Sequence, residues 1–205
     1  MVRVQKPWYA PRFLVRRKFQ SVVPEYENTA GLEAKYFTIS DESQYGGIYL
    51  WMTRAQAEQH FDAAWHEEVR RRRGVDANVL ILNAWYGIEG GAMPRGAPAG
   101  ARTLRYPAFA TLVLWQLAPD RPVDQVVDRL AKASWPRREL IRAFVVTGPG
   151  VVGVAALWAT RPAADQAVSI SERGVLASLL GATGSEATAF EAPLLLDESL
   201  RGNDP

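Results

Sequence analysis

The chain has 205 residues, with 24 basic and 22 acidic side chains for a net charge of +2, 48% hydrophobic residues and no cysteine. That balance belongs to a globular protein with a sizeable core; it offers no broad basic face to nucleic acid and excludes disulfides, thiol catalysis and cysteine-bound metals. The longest apolar run, VVGVAALWA, is about half of what a bilayer requires, and the N-terminal stretch MVRVQKPWYAPRFLVRRK lacks the apolar core of a signal peptide, so the expectation is a cytoplasmic protein with no membrane partner.

In chain order, VRVQK is a short candidate strand and Pro11 opens a helix. Val15, Phe19, Val22, Val23 and Tyr26 fall at i, i+4, i+7, i+8 and i+11, one apolar helix face. LEAKYFTIS and GGIYLWM read as a hairpin, followed by one long helix from Thr53 to the arginine run Arg70 to Arg73, with Gly74 as its stop. NVLILNAWYG reads as a closing strand. The stretch from Ala92 to Arg105 is rich in Gly, Pro and Ala, without apolar period, and reads as a linker.

Beyond it, FATLVLWQL is a run of β-formers, and Asp120 and Pro122 announce a helix whose stripe is Val123, Val126, Val127, Leu130 and Ala131. LIRAFVV, a Gly-Pro-Gly turn, VVGVAALWA, the helical ADQAVSISERGVLASLL and a strand near EATAFEAPLLL complete the chain. Both halves therefore read β-α-β-β-α-β, the ferredoxin-like order. The windows LWMTRAQAEQ, beginning at Leu50, and LWATRPAADQ, beginning at Leu157, share the pattern L-W-x-T-R-x-x-A-[D/E]-Q, which points to internal duplication. The expected organisation is a first ferredoxin-like repeat over 1–91, a linker over 92–105 and a second, degenerate repeat over 106–200. The expected fold class is α+β, with the repeats forming a pseudo-dimeric α/β barrel in which each sheet covers the other's open face. Further self-association of such a chain is left open.

The string VPEYENTAGLEAKYFTISDESQYGGIYLWMTRAQAE, with GVDANVLIL after it, resembles the monooxygenases of the dimeric α/β-barrel superfamily. The residues carrying the resemblance are Pro24 and Tyr26, then Gly31, Leu32, Lys35 and Tyr36, then Gly46, Gly47, Tyr49, Leu50 and Trp51, with Trp65 and the arginines before Gly74 continuing it. The second half matches only loosely. The resemblance implies a ferredoxin-like barrel and a cofactor-independent oxygenation of a phenolic, enolic or other hydrophobic small molecule. It also leaves a haem-binding or other non-catalytic hydrophobic-ligand protein, and a structural barrel without chemistry, as alternatives.

Cofactor-free oxygenation needs a pocket that makes an electron-rich phenol or enol into its anion, with donors for the anion and apolar walls that exclude water. Lys35, Tyr36 and Tyr49 are the candidate catalytic residues, and Tyr26, Trp51 and Trp65 the candidate substrate-binding residues; no metal site is expected. At the positions of Lys35-Tyr36 and Tyr49, the second half has Ala143-Phe144 and Ala156, which puts any site in the first half. His60 and His66 follow Trp51 on the helix, whose stripe of Ala57, Phe61, Ala64 and Trp65 leaves both histidines at its flank or in solvent. GPGVVG from Gly148 has dinucleotide-binding spacing, yet lies between two strands and reads as a hairpin turn. The arginine run complements a helix dipole at a solvated end.

Overall fold

The computed structural model describes residues 1–6, 10–92, 103–104, 107–132, 138–169 and 182–197. The elements in chain order are β1 (Val2–Gln5), α1 (Arg12–Glu27), β2 (Leu32–Ser40), β3 (Gln44–Trp51), α2 (Arg54–His60), α3 (Ala63–Arg73), β4 (Ala77–Val79), β5 (Asn83–Glu89), β6 (Thr103–Leu104), β7 (Ala108–Leu117), α4 (Val123–Lys132), β8 (Leu140–Gly148), β9 (Val151–Trp158), α5 (Arg161–Ala167) and β10 (Ala182–Asp197). They form two compact units: Met1–Ile81 with Arg95–Pro107 and Glu191–Pro205, and Leu82–Pro94 with Ala108–Phe190. These units do not coincide with the expected halves 1–91 and 106–200, because β5 pairs with β8 and the end of β10 belongs with the first unit.

In the first unit the strands run β4-β1-β3-β2, followed by β10. The β2–β3 hairpin pairs Lys35 with Tyr49, Phe37 with Gly47 and Ile39 with Tyr45, so all six face one side of the sheet. Val2 and Val4 of β1 join that face opposite Gly47 and Tyr45. Helix α1 opens at Pro11 and buries Val15 and Phe19 of its predicted stripe against Phe37 and Ile39, with Val22, Val23 and Tyr26 packed at the edge. Phe61 packs with Val2, Val4 and Ala77, flanked by Trp65 and Val69. Burying each such side chain contributes about 1.5–3 kcal/mol.

The single helix expected from Thr53 to Arg73 is two. Asp62 takes extended backbone angles and its carboxylate accepts the Trp65 N–H at 2.8 Å, an N-cap that starts a new helix after Phe61. Thr53 caps the first of them through a reciprocal box with Gln56. Gly74 ends α3 in the left-handed conformation, as the sequence requires. The closing strand NVLILNAWYG is likewise two, since β4 pairs with β1 and β5 pairs with β8. Of the expected linker, Met93 to Arg102 lie outside the described residues, while Thr103 and Leu104 pair with Leu196 and Leu195 of β10.

In the second unit the strands run β10-β7-β9-β8-β5. Val126, Val127 and Leu130 of α4 pack with Trp115, Val145, Val154 and Trp158 in one cluster. The Gly-Pro-Gly turn joins β8 to β9 with Gly148 opposite Val151, a hairpin turn as read from the sequence. Of the last expected helix, which began at Ala164, residues 164–169 are described, and helix α5 there ends at Ala167.

Several details recur between the units. Leu32 pairs with Trp51 and Leu140 with Trp158, each with a register shift in the next residues, Leu32/Ala34 and Leu140/Arg142. Beyond the shift Lys35 opposes Tyr49, and Ala143 opposes Ala156. A Cβ on Gly46 would lie 2.0 Å from the Val2 carbonyl oxygen and one on Gly153 2.2 Å from that of Val113, so both places admit only glycine. Thr53 and Thr160 precede helices that carry the ion pairs Arg54–Glu58 and Arg161–Asp165, at 2.7 Å each. Among the described residues no helix is long and apolar enough to cross a membrane.

Candidate functional site

A cavity of about 660 Å³ lies within the first unit, lined by helices α1 and α3 and by the sheet face that carries Lys35 and Tyr49. Lys18, Val22, Glu25 and Tyr26 line it from α1, and Trp65, Val69, Arg72 and Arg73 from α3. Both sets recur at three- and four-residue steps, the spacing of one helix face. Phe37, Tyr45 and Tyr49 supply the sheet wall. The volume falls in the range of small-molecule sites.

Lys35 is the one charged side chain set into that wall, with 3% of its surface exposed. Strand β2 has it opposite Tyr49, and its Nζ lies 2.9 Å from the centre of the Tyr26 ring, 4.3 Å from that of Phe37 and 4.5 Å from that of Tyr49. Burial holds its pKa well below the ordinary lysine range, while the Glu25 carboxylate works in the opposite direction. The amine is therefore a base without its proton more readily than any surface lysine. Burial raises the Tyr49 pKa well above normal, reinforced by Tyr26, and raises that of Tyr26 as well. The two rings meet edge to face at 5.9 Å. Both phenols remain neutral near neutral pH and serve as donors.

Of the candidates read from the sequence, Lys35, Tyr49, Tyr26 and Trp65 meet around the cavity. Tyr36 does not. Next to Lys35 on a strand, it points to the opposite sheet face, where its hydroxyl donates to buried Asp197 at 2.7 Å. That pair is a structural anchor, and the expectation of Tyr36 beside Lys35 overlooked strand alternation. Trp51, two residues along the same face of β3, stacks on Tyr49 with ring centres 6.4 Å apart and is not a lining residue.

His60 also departs from expectation. It is half-buried with its ring 4.9 Å from Trp51, 4.8 Å from Phe61 and 6.3 Å from Tyr26, and its Nε2 and the Trp51 Nε1 are buried without a hydrogen-bond partner. Burial and then the Lys35 charge lower its pKa. His60 is the last residue of α2, between the buried Ala57 and Phe61. Among the described residues no three His, Asp or Glu side chains are grouped to hold a metal.

The charged lining residues Lys18, Glu25, Glu68, Arg72 and Arg73 were not assigned to a site from the sequence. The signal was present, since Lys18, Val22 and Glu25 follow at i, i+4 and i+7, and Trp65, Arg72 and Arg73 at i, i+7 and i+8. The arginine run is not uniformly a solvated end. Arg70 pairs with Glu67 and Asp76, each at 2.8 Å, Arg71 with Glu68 at 2.7 Å and Arg72 also with Glu68. Arg73 instead lies over the Tyr45 ring at 5.7 Å, on the cavity rim.

The matching face of the second unit holds Ala143 opposite Ala156 and Val145 opposite Val154, packed with α4 into one apolar cluster. Trp158 is fully buried there and its Nε1 donates to Thr111 Oγ1 at 3.0 Å, whereas its counterpart Trp51 is partly exposed.

No family model matches this chain, and no curated protein does. Solved structures do. A crystal structure of an anthrone oxidase-like protein superposes with a TM-score of 0.59 at 8% identity, over 100% of this chain and 94% of that one. One named as a putative monooxygenase from Fusobacterium nucleatum gives 0.63 at 6% identity, over 96% and 92%. Another so named, from Lactobacillus acidophilus, gives 0.56 at 10% identity, over 96% and 94%. At such identities the likeness is one of fold: this chain has a mixed helix-and-sheet fold shared with these monooxygenase-like proteins.

Proposed function

We propose that the chain is a cofactor-independent monooxygenase that oxidises a phenolic, enolic or other hydrophobic aromatic molecule in the first-unit cavity. One observation carries the reading: a buried lysine amine, enclosed by tyrosine and phenylalanine rings rather than carboxylates, forms the wall of a cavity of about 660 Å³. The amine accepts the proton of the substrate hydroxyl or enol, and the ammonium so formed pairs with the resulting anion. The neutral rings of Tyr49 and Tyr26, edge to face, fix the geometry around it, while Trp65 and Phe37 keep water out. The electron-rich carbon of the anion then reduces dioxygen. A methylene carbon becomes a carbonyl, one oxygen atom entering the product and the other leaving as water, so that no further reductant is needed. The names of the fold neighbours, anthrone oxidase-like and monooxygenase, agree with that class of substrate.

We infer also that the chain is a tandem of two ferredoxin-like repeats, the pseudo-dimeric α/β-barrel arrangement. The register shifts at Leu32/Ala34 and Leu140/Arg142, the paired glycines Gly46 and Gly153, and the common strand order support it. On this reading the first repeat keeps the chemistry and the second is structural. The cytoplasm remains the proposed site of action.

A hydrophobic-ligand carrier is the second reading, since the same aromatic enclosure would hold a ligand without turning it over. For haem, no histidine is among the lining residues and His60 presses its ring to Trp51 and Phe61, so this wall offers no imidazole ligand. Oxygen uptake with anthrone as the probe separates oxidase from carrier. Turnover that falls at least about 100-fold in Lys35→Met supports the enzyme; binding without oxygen uptake in the wild type leaves the carrier.

A further inference from the structure

We propose that the cavity selects an elongated aromatic acid, a hydroxyaryl body with its hydroxyl at Lys35 and a carboxylate at the far end, held by Arg73 and Lys18. The inference rests on the site reading above and adds the class of ligand.

Charge is distributed unevenly along the cavity. Glu25 lines the cavity beside Tyr26, whose ring lies 2.9 Å from the Lys35 Nζ and 5.9 Å from the Tyr49 ring, and so marks one end. At the other end Arg73 lies over Tyr45, and the Tyr45 ring is 6.4 Å from Phe19, the neighbour of Lys18 on α1. Among the described residues neither Arg73 nor Lys18 is in an ion pair, whereas the one carboxylate nearby, Glu68, is taken by Arg71 and Arg72. Two cations outside any ion pair at one end, where Glu68 is already held by Arg71 and Arg72, and the Glu25 carboxylate at the other orient an acid one way round.

The spacing fixes its length. Lys35 is opposite Tyr49, and Tyr45 is four residues back on the same face of β3, which at the usual strand rise separates the two ends by about 13 Å. Between them the wall is Val15, Phe19 and Phe37, all buried and apolar. Such a wall takes a flat ring system and rejects a polar chain. A single-ring hydroxy acid is too short to reach both ends, and a two- or three-ring acid spans them.

The test uses 4′-hydroxybiphenyl-4-carboxylic acid, its carboxamide and 4-hydroxybenzoic acid as probes, with binding followed by tryptophan emission, since Trp65 lines the cavity. The biphenyl acid should bind roughly tenfold tighter than its carboxamide, the size of a charge-assisted hydrogen bond at a wet rim. The Lys18→Gln, Arg73→Gln double variant, changed only at exposed positions, should erase that preference and leave the carboxamide unaffected. 4-Hydroxybenzoic acid should bind weaker than both. Equal binding of acid and carboxamide, or a preference that survives in the double variant, overturns the carboxylate clamp while carboxamide binding that depends on Lys35 leaves the site reading intact. Failure of all three probes to bind overturns both.

Discussion

Two sheet faces of this chain share their register and differ in what they bury. On one, Lys35 and Tyr49 oppose each other at the wall of a cavity; on the other, Ala143 and Ala156 hold the matching positions inside a packed apolar cluster. The same backbone thus supports either a site or a core, and the choice lies in a few side chains. Large polar aromatics with an amine at its wall line a cavity, while small and β-branched residues allow α4 to approach and fill the layer.

The largest test of that difference exchanges the amine. Ala143→Lys places a charge where no cavity receives it and should cost about 4 kcal/mol or more in urea denaturation, whereas Lys35→Met should raise stability, because the folded state no longer has to desolvate an amine. If both substitutions cost the same, the two layers are not different in kind. The tryptophans come next. Trp158→Ala removes a fully buried ring with a satisfied N–H and should cost about 3–5 kcal/mol, against about 1–2 kcal/mol for Trp51→Ala, whose ring is partly exposed and whose N–H has no partner. Thermal or chemical melts of the two variants measure it.

A subtler exchange is Gly47→Val, since Val154 stands at the matching place. A Cβ there lies 3.2 Å from the Tyr49 ring and 3.4 Å from Lys35 Cε, so the side chain should close the cavity wall and weaken phenol binding, at a stability cost of about 1–2 kcal/mol. Unchanged affinity would place the ligand elsewhere. The smallest effect is on pH. The unfolded chain holds the Lys35 proton up to the normal 10.5, the folded chain releases it well below, and in that interval the unfolded state binds more protons. Stability therefore rises with pH across the window and is lost as pH falls through the lowered value, and Lys35→Met should flatten the slope. Below pH 10 the raised tyrosines stay protonated and do not contribute.

Much of this was legible in the sequence. The hairpin of Leu32 to Trp51, the α1 stripe and the contrast of Lys35 and Tyr49 with Ala143 and Ala156 followed from periodicity and from the repeated Leu-Trp-x-Thr-Arg string. What escaped was local competition. An aspartate at position 62 can stand as an N-cap or within a helix, and packing decides; here it caps a second helix after Phe61. Strand alternation by itself separated Tyr36 from Lys35, and its partner Asp197 is 161 positions away, beyond any local signal. The split of NVLILNAWYG was invisible because its halves pair with different strands. The arginines of α3 were read as a block, although helical spacing distinguishes Arg73 from Arg70 and Arg71.

The central claim is that Lys35 takes the proton of a bound phenol. The direct measurement is the absorbance of a chromogenic phenol such as 4-nitrophenol, bound at a pH below its own pKa. Proton transfer to Lys35 gives the yellow phenolate band in the wild-type protein and none in Lys35→Met. A bound phenol that stays colourless, or a band that persists without the amine, contradicts it.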